Sequence, residues 1–172
     1  MFRATDAANG TELWVSDGTA AGTVLVKDIR VGTSSSSPIG FTSLGNSSVL
    51  FLANDGINGQ ELWVSDGTEA GTLLVKDIKV GSNGANPTNF VSLGNGTVLF
   101  SANDGTNGTE LWISDGTAAG TVLVKDIYTG TTDSALQNLT LLGNGQVLFS
   151  ANNGINGTEL WVSDGTAAGT IS

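Results

Sequence analysis

Three oxygen-bearing side chains recur three residues apart: Asp6, Asn9 and Glu12, then Asp55, Asn58 and Glu61, then Asp104, Asn107 and Glu110. Carboxylates and an amide carbonyl on one short segment are ligands for a hard cation, so Ca2+ is the ion this set suits. The set lacks the aspartate ladder of an EF-hand loop, and in its fourth occurrence Asn153 replaces the first aspartate. A second acidic series, Asp17, Asp66, Asp115 and Asp164, is in each case followed by glycine. Asp-Gly is also a turn pair whose carboxylate bonds nearby amides, and that reading is the stronger one. Trp14, Trp63, Trp112 and Trp161 offer flat rings on which a sugar can stack, but their apolar, mid-strand surroundings favour packing between sheets. Lys27, Lys76 and Lys125 each precede an aspartate. On an outer strand such a lysine would block edge-to-edge pairing.

Much other chemistry is excluded. The chain of 172 residues has no histidine and no cysteine, which removes imidazole bases, thiolate nucleophiles, disulfides and the usual zinc ligands. Sixteen acidic residues against six basic ones give a formal charge of −10, spread along the chain. That distribution opposes binding to a phosphate backbone, so no nucleic-acid partner is expected. No apolar run approaches the roughly 20 residues of a membrane-spanning helix, so no membrane insertion is expected. No Gly-x-Ser-x-Gly elbow or phosphate loop is present, and almost every acid belongs to a repeating pattern. A non-enzymatic protein is the expectation.

What must position these residues is the repeat itself. The four tryptophans are each 49 residues from the next, so the chain is one unit read about three and a half times. The units run approximately 1–38, 39–87, 88–136 and 137–172 of a single array. Within one unit four apolar segments rich in strand formers stand out: 49–53, 61–65, 73–78 and 90–93. Three short, glycine-containing connections between them predict hairpins, with Asn95-Gly96 carrying the chemistry of a primed turn. The fourth, from Lys79 to Asn89 with Pro87, is longer and predicts a crossover to a new sheet.

Four strands, three hairpins and one crossover per 49 residues predict an all-β chain: a β-propeller-type array of four-stranded antiparallel blades. An open arc or a β-solenoid is the alternative. Alternation along the strands places apolar residues on both faces, as in sheets covered on both sides.

The wording Glu-Leu-Trp-x-Ser-Asp-Gly-Thr-x-x-Gly-Thr starts at Glu12, Glu61, Glu110 and Glu159, preceded in the second and third copies by Asn-Asp-Gly-x-Asn-Gly and followed in the first three by Leu-Val-Lys-Asp-Ile. It resembles the bacterial ELWxxDGT repeat family and covers essentially the whole chain. The resemblance implies propeller-like repeats in large secreted or surface-attached bacterial proteins, hence an extracellular, structural or adhesive module. A multivalent glycan-binding propeller, with one weak site per blade, is the alternative function, and a glycan or a surface protein the expected partner. The first unit lacks its innermost segment and the last ends at Thr170-Ile171-Ser172, a stub of its outermost one. Incomplete terminal repeats expose apolar blade faces, so a homo-oligomer is expected.

Overall fold

The computed structural model describes all residues, 1–172. It contains fourteen strands, no helix, and four antiparallel sheets that do not close into a barrel. The first sheet joins β1 (Phe2–Asp6), β2 (Gly10–Val15) and β3 (Val24–Lys27). The second runs in order through β4 (Ile39–Ser43), β5 (Val49–Asn54), β6 (Gln60–Ser65) and β7 (Leu73–Lys76). The third repeats that order with β8 (Thr88–Ser92), β9 (Val98–Asn103), β10 (Thr109–Ser114) and β11 (Val122–Lys125). The fourth has β12 (Gln137–Leu141), β13 (Val147–Asn152) and β14 (Thr158–Ser163). Ile171 bridges Val162, where a fourth strand of that sheet would begin.

The expected hairpins form, with one difference in turn chemistry. A two-residue primed turn would need Asn95 and Gly96 both at positive φ. Instead the positive angles fall on Gly94 (78°) and Gly96 (89°). Leu93 N–H donates to the Thr97 carbonyl, closing a wider loop, and Asn95 Oδ1 accepts from Thr97 N–H and Oγ1–H. The Asn side chain thus serves as a local acceptor rather than as a left-handed backbone position.

The sheets stack through their two apolar faces. In β5 and β6, Phe51 pairs with Trp63 and Ala53 with Glu61 on one face, while Leu50, Leu52, Leu62 and Val64 lie on the other. Leu13, Val26 and Ile29 of the first sheet and its crossover pack on Phe51, Ala53 and Trp63 of the second. The same contact recurs 49 residues on, with Leu62, Val75 and Ile78 against Phe100, Ala102 and Trp112. It recurs again with Leu111, Val124 and Ile127 against Phe149, Ala151 and Trp161. Each interface buries several large side chains, worth about 1.5–3 kcal/mol apiece. Strands β4, β8 and β12 lie side by side along one margin of the stack, where Asn89 Nδ2 donates to the Leu136 carbonyl (3.2 Å) and to Ser101 Oγ (3.0 Å).

Candidate functional site

The residues set out as an Asp, Asn and Glu ligand group do not act on one point. Asp55 Oδ1 accepts from the amides of Ile57 and Asn58, both at 2.8 Å, and Oδ2 accepts from Asn58 Nδ2 at 2.7 Å. Asp6 with Asn9, and Asp104 with Asn107, repeat this arrangement. These carboxylates are held below their usual pKa. At Asp6 the Asn9 side chain is the main cause, whereas at Asp55 and Asp104 burial pushes upward and the loop donors outweigh it. Asn153 keeps the two backbone bonds, from Ile155 and Asn156, so the turn survives loss of the charge.

The third member of each set turns elsewhere. Glu12, Glu61 and Glu110 are fully buried, and their carboxylates accept from the crossover that leads to the next sheet. Glu61 takes the amides of Ile78 (3.0 Å), Lys79 (3.2 Å) and Ala85 (2.7 Å). Glu110 takes those of Ile127 and Ser134, and Glu12 those of Ile29 and Ser36 together with the Ser36 hydroxyl. Strand β7 ends at Lys76, and the residues just after it supply the first two of these amides, from Ile78 and Lys79. Burial raises Glu61 and Glu110 to about 7, against the pull of the amide donors.

A glycine completes each anchor. Gly59 has φ of 76°, and a Cβ there would lie 2.6 Å from the Ser82 carbonyl oxygen in the crossover. Gly10 and Gly108 meet their own crossovers in the same way. The close approach, together with the positive φ, requires glycine.

The Asp-Gly-Thr turn is self-contained. Asp66 Oδ1 accepts from Thr68 N–H (2.9 Å) and Thr68 Oγ1–H (2.7 Å), and Thr68 Oγ1 in turn accepts from Gly71 N–H (3.0 Å). The Thr68 hydroxyl, followed by its amide, lowers the Asp66 pKa; Asp17, Asp115 and Asp164 have the same causes. The carboxylate lies against the Cα of Gly71, where any side chain would collide with it. That explains the second glycine of the motif, whose φ is not positive.

The lysines are not edge guards. Lys27 Nζ donates to the Thr72 carbonyl (2.8 Å), Lys76 Nζ to Thr121 (2.7 Å) and Lys125 Nζ to Thr170 (2.7 Å). Each one ties its sheet to the turn of the next, and Lys125 Nζ also lies 5.7 Å from the Trp161 ring centre. No residue type signals this tie, since a backbone carbonyl has no residue identity to find. A second tie was also missed: Arg30, Lys79 and Tyr128 lie over Gly56, Gly105 and Gly154 of the following unit. A long side chain at one position and glycine 26 residues later was the available signal.

Trp63, Trp112 and Trp161 are buried between sheets, which closes their faces to a sugar, and Trp14 is half-buried on the first sheet. Two sets of buried polar atoms lack hydrogen-bond partners: Nε1 of all four tryptophans and Oδ1 of Asp28, Asp77 and Asp126. Their recurrence makes them a property of the unit. A cleft of about 300 Å3 lies between β4 and β8, lined by Ile39, Phe41, Thr42, Pro87, Asn89 and Phe90 among others.

Comparison with family models, with curated proteins and with solved structures returned no match.

Proposed function

We propose that the chain is a non-enzymatic structural and adhesive module of an exported bacterial protein, of the ELWxxDGT repeat kind, whose sheets are blades of a propeller-type array or open arc. The carrying observation is a division of labour. The lysines and tryptophans of the motif are spent on holding units together and its acids on fixing turns and crossovers within a unit, while an aliphatic side chain faces outward at one position in every unit. Val24, Leu73 and Val122 open the outer strands and are 47%, 52% and 45% exposed, and Ile171 stands at the equivalent place. A rigid, evenly spaced apolar row suits docking to an extended surface partner, where repeated weak contacts add through effective concentration. Replacing Val24, Leu73 and Val122 with serine should abolish adhesion of the displayed chain to cells while leaving its melting temperature within a few degrees. Undiminished adhesion would defeat this reading.

The cleft between β4 and β8 favours a second reading, glycan binding, because it combines phenylalanine rings with the Thr42 hydroxyl. A glycan array probed with the wild type and with Thr42→Ala checks it. Binding that is absent, or unchanged by the substitution, would sink it.

A further inference from the structure

We infer that this chain associates head to tail with second copies of itself, through the apolar face of its first sheet and that of its fourth. This inference does not depend on the adhesive reading. It rests on an interface that the molecule builds three times internally, always from the same two unlike faces.

One copy of each face is left over. On the first sheet, Phe2, Ala4 and Trp14 occupy the places that Phe51, Ala53 and Trp63 occupy on the second. Phe2 is 37% exposed where Phe51, Phe100 and Phe149 are at most 1% exposed. Ala4 and Trp14 are partly open where their counterparts are buried. On the fourth sheet, Leu160 is 63% exposed, whereas Leu13, Leu62 and Leu111 are completely buried. Leu148 is also partly open, unlike Leu50 and Leu99. Between them lies a depression of about 220 Å3, lined by Leu148, Leu160, Ser150, Asn138, Thr140 and Phe149. At the internal interfaces this leucine face is covered by the phenylalanine, alanine and tryptophan of the following sheet.

The two leftover faces are unlike, so the contact is heterologous. Each copy presents one donor face and one acceptor face, and association extends or closes as a ring rather than stopping at a symmetric pair. The joint is made between separate chains, so association through it depends on concentration.

Sedimentation velocity over a wide concentration range tests the inference, using the whole chain, Phe2→Asp and Leu160→Asp. Both substituted side chains are exposed, so each variant should keep the wild-type circular dichroism and melting curve. The wild type should show an average mass that climbs above 17.4 kDa with concentration. Each variant alone should remain a monomer. An equimolar mixture of the two should form a one-to-one dimer, since one partner keeps an intact first-sheet face and the other an intact fourth-sheet face. A wild type that stays monomeric throughout overturns the inference. So does association of either variant alone, which would signal pairing of like faces or a contact elsewhere.

Discussion

Glu61 and Glu159 stand at the same place in the same motif, 98 residues apart, and have opposite fates. Glu61 is fully buried and holds three amides of its crossover, while Glu159 is exposed and has no hydrogen-bond partner. The glycines beside them differ in parallel. A side chain on Gly59 would strike the crossover, but one on Gly157 would meet nothing within 4 Å. Both glycines have positive φ, 76° and 81°, so the local turn is the same. The difference shows that strand and turn form from the motif alone, whereas burial of the acid requires a crossover to fold over it.

That comparison can be broken most directly by substitution at the acid. Glu61→Ala should cost about 3 kcal/mol or more in urea unfolding, because buried amides lose their acceptor at about 1–3 kcal/mol each. Glu159→Ala should fall within about 0.5 kcal/mol of the parent, as surface changes do. Equal losses would mean that Glu61 acts through strand propensity rather than through the crossover. At the glycines, both alanine variants carry the left-handed penalty of about 1–2 kcal/mol. Gly59→Ala should lose more than Gly157→Ala, since it must also displace the crossover backbone.

A smaller effect separates the ties between sheets from the anchors within them. Lys76→Met should cost about 1.5 kcal/mol, the lower range for a hydrogen bond from a charged donor, and no loss of stability would reduce the bond to Thr121 to a passive contact. The anchors also predict a pH dependence. Glu61 and Glu110 have folded pKa values of about 7 against an ordinary 4.5, so between those limits the folded chain binds more protons than the unfolded one. Their contribution is fully present below pH 4.5 and is lost as pH rises through 7. The depressed aspartates of the turns act in the opposite sense, losing their contribution as pH falls below about 3.8. The melting temperature should therefore rise from pH 8 to pH 5 and decline in stronger acid. Glu61→Gln should flatten the first limb, and a flat parent profile from pH 5 to 8 would contradict the burial argument.

The smallest expected effect is that of calcium. With Asp55 and Asn58 bonded to each other and Glu61 turned away to its crossover, melting temperatures in excess calcium and in chelator should agree. A rise in calcium confined to variants that retain Asp55 would restore the ligand reading.

The sequence made the repeat legible because its period is carried by side chains: tryptophan, the Asp-Gly-Thr turn, and strands alternating over two apolar faces. Glu61 was harder to read because its partners are backbone amides 17 and 24 residues later, with nothing in their identities to announce them. A clue was present nonetheless, since Glu61 shares a strand face with Trp63, and an acid on a buried face needs internal donors. Lys76 was misassigned for a related reason: the carbonyl it seeks belongs to another unit. Short-range patterns identified the elements, while contacts made between side chains and distant backbone required the fold.

The tie from Lys27, Lys76 and Lys125 always runs forward, from one unit to the turn 45 residues ahead. This gives the stack a direction that its near-identical units would otherwise conceal. The turns at Asp66, Asp115 and Asp164 are each capped by a lysine of the unit before, so the seating of one sheet bears on the sheet that follows it rather than on the one that precedes it.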